Sequence, residues 1–129
     1  MLLVRAWVGP SKIHGLGLIA YEFIPKDTVI WRLVPGFDAI LTKVEFQALS
    51  HAAQEQINHY AFFYTQRNAY VLCADDARFT NHSDNANSRF CGDYDVAVRD
   101  IQAGEEITDN YTEYEKQMLQ ITRPPMELV

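Results

Sequence analysis

Short runs of β-branched and aromatic residues recur along this chain, and each is soon cut off by turn-forming residues. That pattern leaves little room for a helical fold. "LLVRAWV" (Leu2–Val8) reads as a strand, and "TVIWRLV" (Thr28–Val34) as another, entered through Pro25-Lys26-Asp27. "AYVLCA" (Ala69–Ala74) reads as a third. "SRFCGDYDVAVRDI" (Ser88–Ile101) reads as a hairpin about Gly92-Asp93, with strand alternation in "YDVAV". One long stretch departs from this rhythm. "KVEFQALSHAAQEQINHY" (Lys43–Tyr60) places Phe46, Leu49, Ala53, Ile57 and Tyr60 at helical spacing, behind a capping box of Thr42 and Glu45. A second box, Thr112 and Glu115, opens a short helix in "EYEKQMLQI", and Pro124-Pro125 ends regular structure. The sum is a β-rich α+β domain.

With 129 residues the chain is long enough for one core and too short for two, so a single domain over 1–129 is expected. A hydrophobic content of 48% marks a folded chain rather than a disordered one. No apolar run approaches the ~18 residues of a membrane span, and the arginine and early Gly-Pro of the start fit a strand better than a signal peptide. The expectation is a soluble intracellular protein that does not engage a membrane. The formal net charge of −6 disfavours direct binding of nucleic acid and is compatible with a cationic, lysine-rich partner. Cys73 and Cys91 form no C-x-x-C pair, so neither a metal site nor a redox motif is expected, and buried free thiols are the plain reading.

"GLGLIA" (Gly15–Ala20) fits G-x-G-x-x-A on paper. A dinucleotide fingerprint needs a long helix after it. Here Pro25 follows and strand residues resume at Thr28, so that reading fails. What remains is a turn between strands, or a backbone free to approach a ligand closely.

Three segments in order carry the strongest signal. They are "KIHGLGLIA", with Gly15 and Gly17; "RFTNHSDNANS", with Arg78, Phe79, Asn81, His82, Ser83 and Asn87; and "GEEITDNY", with Gly104, Glu105, Glu106, Ile107, Thr108 and Tyr111. Together they resemble the SET domain family of protein lysine methyltransferases, in the form of its compact, stand-alone bacterial or viral members. The resemblance covers roughly residues 2–114, leaving a short helix and tail over 115–129. It implies a fold of several short sheets with a knot-like threading by the C-terminal part. It implies S-adenosylmethionine as cofactor and the lysine amine of a protein or peptide as substrate. By the same resemblance, the backbone around Gly15, Leu16 and Gly17 lies against the cofactor, and the His82 backbone reads its adenine. Arg78 suits the cofactor carboxylate by its forked geometry. The Asn81 amide, which both donates and accepts, suits a zwitterion. Tyr60, in a "YAFFY" cluster whose Tyr60, Phe62 and Tyr64 share a face at strand spacing, is expected to line the cofactor or lysine site. Tyr111 is the expected catalytic residue, its phenol oxygen orienting the amine. Taken singly, each residue has a plainer role: an arginine pairs with an internal acid, an asparagine caps a turn, a tyrosine packs in the core.

The sequence departs from the family pattern at several points. Asp84 and Ala86 stand where Cys and Pro are usual, and Asp109 stands two residues before Tyr111, where an aromatic residue is common. No cysteine-rich flank follows Tyr111. The terminal helix, or a second copy of the chain in a homodimer, is the candidate for completing the lysine channel. A rival expectation from another class is a catalytically degenerate SET fold that binds a peptide without turnover.

Overall fold

The computed structural model describes residues 1–110. The expected terminal helix, the second capping box and Tyr111 lie outside the described residues.

The strands are β1 (Ala6–Pro10), β2 (Leu16–Ala20), β3 (Val29–Arg32), β4 (Ala39–Thr42), β5 (Phe62–Tyr64), β6 (Ala69–Leu72), β7 (Asn81–His82), β8 (Ser88–Phe90), β9 (Tyr94–Ala97) and β10 (Glu106–Asp109), with helices α1 (Lys43–Gln47) and α2 (His51–Tyr60) between β4 and β5. They form three small sheets, ordered β1-β2-β10-β7, β3-β9-β8 and β4-β6-β5. The fold is the β-rich α+β arrangement of short sheets that the sequence implied. Among the described residues, no helix is long and apolar enough to cross a membrane.

The first sheet positions the site. β1 and β2 form an antiparallel hairpin with Trp7 opposite Ile19 and Gly9 opposite Gly17. β10 pairs antiparallel with β2 and parallel with β7, so the late strand is inserted between two earlier ones. The path beyond Asn110, on which the knot-like threading rests, falls outside the described residues. Four consecutive residues of β2, Gly17 to Ala20, are buried, because β2 is central and covered on both faces. Leu18, Ile24, Ile30, Ala97, Ile101 and Ile107 form one core cluster against it. Each leucine or isoleucine side chain of the cluster contributes about 1.5–3 kcal/mol when fully buried. A second cluster gathers Trp31, Leu33, Tyr64, Val71 and Cys73 between the other two sheets.

Several boundaries differ from the sequence expectation. The first strand begins at Ala6, and Leu2 makes only an isolated bridge to Trp31. The single helix expected over Lys43–Tyr60 is two. Ser50 starts a new helix by accepting the Ala53 N–H on its hydroxyl (3.2 Å), a cap that outweighs continuity of the apolar spacing. The first capping box is present, with Thr42 and Glu45 satisfying each other's backbone N–H groups. Tyr60 ends α2 rather than lying in a strand with Phe62 and Tyr64. The hairpin about Gly92-Asp93 forms as β8–β9, with Gly92 in the left-handed region at φ +94°. Both cysteines are free; Cys73 is buried and Cys91 half-buried.

Candidate active site

The turn joining β1 to β2 is wound around one hydroxyl. Ser11 Oγ accepts the N–H groups of Ile13 (2.9 Å) and His14 (3.1 Å) and donates to Glu106 Oε1 (2.7 Å). Gly15 closes the turn at φ +49°, a left-handed conformation that glycine adopts without a Cβ penalty. Gly17 has a different reason. A Cβ there would stand 2.5 Å from Glu106 Oε2, so its missing side chain is the space the Glu106 carboxylate occupies.

Asn81 joins all three motif segments. Its Nδ2 lies within hydrogen-bond distance of Ser11 Oγ (3.2 Å), His14 O (3.1 Å), Leu16 O (2.9 Å) and Glu106 Oε2 (2.9 Å). The two amide protons thus serve acceptors from the glycine turn and from β10, while Oδ1 takes part in none of these bonds. The amide nitrogen, expected from the sequence to be one of two groups offered to a zwitterion, is used within the chain. Asn87 makes a second tie. It is 1% exposed, its Nδ2 donates to Glu106 O (2.8 Å) and Glu105 Oε2 (3.0 Å), and its Oδ1 accepts the Thr108 N–H (2.8 Å). Ser88 Oγ donates to Thr108 O (2.7 Å). Asn81, Asn87 and Ser88 of the middle segment are therefore a buried joint, their small side chains satisfying backbone that would otherwise be unpaired, while Asp84 and Asn85 between them are exposed. Where the family's proline is missing, the Arg99 guanidinium donates to the carbonyls of Ala86 (2.8 Å) and Asn85 (2.9 Å) and fixes the loop instead.

Beside this joint opens a cavity of about 180 Å³. Gly15, Leu16, Tyr60, Arg78 and Asn81 line it; Gly17 and His82 do not. His82 instead pairs with Asp109 in the parallel β7–β10 ladder and holds its ring against Asp84 Oδ1 at 2.9 Å. Arg78 lies in a single 3-10 turn, Asp76–Phe79, capped by Asp75. Its guanidinium sits 5.8 Å from the Tyr60 ring centre and donates to Ala74 O at 3.5 Å. Among the described residues it forms no ion pair. Its charge is thus open to an anionic ligand rather than spent on an internal acid. The apolar wall is aromatic: Tyr60 meets Phe79 edge-on at 5.9 Å, and Phe62 meets Phe90 at 5.3 Å and Trp31 at 6.3 Å.

Sequence reasoning missed several lining residues: His14, Trp31, Cys73 and Asp95. Burial, reinforced by the charges of Asp38, Asp75 and Asp95, pushes the Cys73 thiol up to about 12, so it is a packed neutral group and no nucleophile. Asp95 is pushed well above the usual carboxylate range by burial and by the negative charge of Asp109, which lines the same cavity. As a whole residue Asp95 is half-buried, yet its Oδ1 is shut off from solvent. Three buried polar atoms have no hydrogen-bond partner among the described residues: His14 Nε2, Trp31 Nε1 and Asp95 Oδ1. All three residues line this cavity. The one signal that could have found Asp95 is a lone acid inside the strand alternation of "YDVAV". Tyr111 lies just beyond the described residues, one position after Asn110.

The SET domain family model matches residues 15–112. The chain is 34% identical over 114 residues to a Mycosarcoma maydis protein named histone-lysine N-methyltransferase, H3 lysine-36 specific; the match covers 78% of this chain and 11% of that protein's length. A crystal structure of a Plasmodium falciparum protein assigned as a histone methyltransferase superposes with a TM-score of 0.60 at 19% identity, covering 85% of this chain and 95% of that one. A Chaetomium thermophilum Polycomb Repressive Complex 2 structure bound to the inhibitor GSK126 superposes with a TM-score of 0.63 at 20% identity, covering 85% of this chain and 15% of that one. At these identities the structural likeness speaks for the fold, and the family match speaks for descent. The chain belongs to the SET domain family.

Proposed function

We propose that this chain is a protein-lysine methyltransferase that uses S-adenosylmethionine. The observation that carries the reading is the convergence of three distant segments: Asn81 bonds at once to the glycine turn and to Glu106, and a cavity opens beside that joint. The relative from Mycosarcoma maydis is named for action on a histone lysine, which supports the same substrate class here.

The residues present fit the cofactor. Arg78, unpaired by any acid among the described residues, would hold its carboxylate. Asn81 Oδ1 and the backbone about Gly15 and Leu16 would hold its ammonium. When bound, the cofactor supplies a methyl group activated by a sulfonium. The chain does the rest. Tyr60, Phe62, Phe79 and Phe90 would present the incoming amine with an apolar aromatic wall. A cation entering such a wall is destabilised relative to its neutral amine, which is the nucleophilic form. Tyr111 would orient that amine. Alignment of the reacting atoms alone is worth up to about 7–11 kcal/mol of barrier.

Isothermal titration with S-adenosylmethionine, followed by a lysine-peptide array with labelled cofactor, tests the reading. Binding heat together with label on lysine peptides supports it. Binding without label on any peptide leaves a binding module, and absence of binding heat removes the cofactor from the account.

A further inference from the structure

The Glu106 carboxylate stands one side chain behind the cavity wall, and no cation answers it. It is half-buried and forms no ion pair among the described residues. Each of its oxygens is held by a donor: the Ser11 hydroxyl on Oε1 at 2.7 Å and Asn81 Nδ2 on Oε2 at 2.9 Å. Gly17 leaves room for it, since a Cβ there would stand 2.5 Å from Oε2. The single Ser11 proton is given to this carboxylate, while the Ser11 oxygen accepts the N–H groups of Ile13 and His14. The charge is thereby fixed in place and aimed at one amide.

That amide can sit only one way round. Beside the carboxylate, Asn81 Nδ2 faces the carbonyl oxygens of His14 (3.1 Å) and Leu16 (2.9 Å), which accept and never donate. An amide oxygen in that place would meet acceptors alone, so the nitrogen occupies it and Oδ1 lies on the opposite branch of the group. Asn81 lines the cavity. Its Oδ1 takes part in none of these bonds, and it is not among the polar atoms that are shut off from solvent without a partner. It is an open acceptor with a negative charge behind it. Hydrogen bonds in a chain polarise one another. An anion at the nitrogen end therefore makes the oxygen end a better acceptor, most of all for a charged donor.

We propose that Glu106 is a positioning residue for the ammonium of the cofactor. Acting through Asn81, it turns the amide oxygen toward the cavity, strengthens it, and makes the site prefer a ligand that carries an ammonium. Glu106 does not itself line the cavity. It supplies, across one intervening amide, the negative charge that the Asn81 side chain lacks. Arg78 on the same cavity carries the opposite sign, so the two ends of a zwitterion each meet their complement. This rests on the methyltransferase reading above and adds to it a residue that reading does not use.

The test is calorimetric titration of the intact chain with two ligands. One is S-adenosylhomocysteine, the demethylated form of the cofactor. The other is its deamino counterpart, which keeps the adenosine, the sulfur and the carboxylate and lacks only the ammonium. The wild type should bind the first about tenfold or more tightly than the second. Glu106→Gln keeps the shape and an acceptor for Asn81 Nδ2 but removes the charge. It should bring that preference below about threefold, with affinity for the deamino ligand within about twofold of wild type. A merely structural role would weaken both ligands alike and leave the ratio unchanged. That result, or a variant that keeps the full preference, overturns the proposal. If the variant loses its folded amide spectrum, the wild type decides through the ¹³C signal of the Glu106 carboxyl group. The signal should move with S-adenosylhomocysteine and stay still with the deamino ligand, and equal movement with both overturns the proposal. Equal affinity of the wild type for the two ligands sinks the role of Glu106 and leaves the cofactor reading standing, whereas binding of neither sinks both.

Discussion

Replacing Gly17 by Ala is the sharpest perturbation of the joint that assembles the site. In an ordinary strand position this change is neutral or stabilises by about 0.4–1 kcal/mol, because it stiffens the unfolded chain. Here the added Cβ would meet Glu106 Oε2 at 2.5 Å and Cδ at 2.7 Å, with Ser11 Cβ at 3.1 Å behind. A glutamate tip can usually swing aside, but this one is held from both oxygens, by Ser11 Oγ at 2.7 Å and Asn81 Nδ2 at 2.9 Å. Moving it breaks two hydrogen bonds to a charged group, each worth about 1.5–3 kcal/mol. The two belong to one network and do not simply add. A net loss of about 2–4 kcal/mol is expected, a fall in melting midpoint of about 8–16 °C for a chain of this size. Urea and thermal unfolding of the wild type, Gly17→Ala, Glu106→Gln and the double variant would measure it, and the cycle should show strong coupling between the two sites. A Gly17→Ala protein as stable as the wild type would refute the claim that Glu106 occupies the glycine's space. It would also weaken the case that the first and third segments are locked together.

Asn81→Ala should cost about 2–3 kcal/mol, since it leaves the Leu16 carbonyl and the Glu106 carboxylate short of a donor, and should abolish cofactor binding heat; chemical denaturation and calorimetry check the two parts. A neutral buried thiol predicts that a thiol reagent at neutral pH labels half-buried Cys91 first and reaches Cys73 only on unfolding, read by mass spectrometry of the folded chain. Because the folded state holds the Asp95 proton to higher pH than the unfolded chain does, its contribution to stability is full below the ordinary aspartate value of ~3.9 and is lost as pH rises through the raised folded value. Asp95→Asn should flatten that decline in a pH series of urea midpoints, and an unchanged slope would count against a buried, proton-holding Asp95. Tyr111→Phe should keep cofactor affinity and lower turnover severely, and full activity in that variant would remove the phenol from the mechanism.

Part of the candidate cavity was legible in the sequence because the residues that line it lie in contiguous segments. The order glycine pair, Arg-Phe-x-Asn-His-Ser, Gly-Glu-Glu-Ile-Thr named the family, and Gly15, Leu16, Tyr60, Arg78 and Asn81 do line one cavity. The roles of individual atoms were less legible. Gly17 is a glycine to make room for Glu106, and Asn81 spends its nitrogen on the chain itself; neither fact is visible without the partner that sits far away in sequence. The helix over Lys43–Tyr60 was misjudged as one element because a serine cap inside an apolar period is a local choice between two good options, decided here for the cap.

The sequence by itself determined the fold class, the family and the three segments that must meet. Strand-length apolar runs, turn residues and small polar clusters act through neighbours a few positions apart, and those neighbours are fixed by the order of residues. Only the tertiary structure decided that Trp31 and Asp95 stand opposite each other, that Asp109 shares their cavity, and that the Arg78 guanidinium forms no ion pair among the described residues. The first is a pairing across strands separated by tens of residues, and the other two depend on where the closed sheets bring side chains. Burial and charge act through space, so the raised Asp95 carboxyl and the open hydrogen-bonding atoms came into being only when the sheets closed on one another.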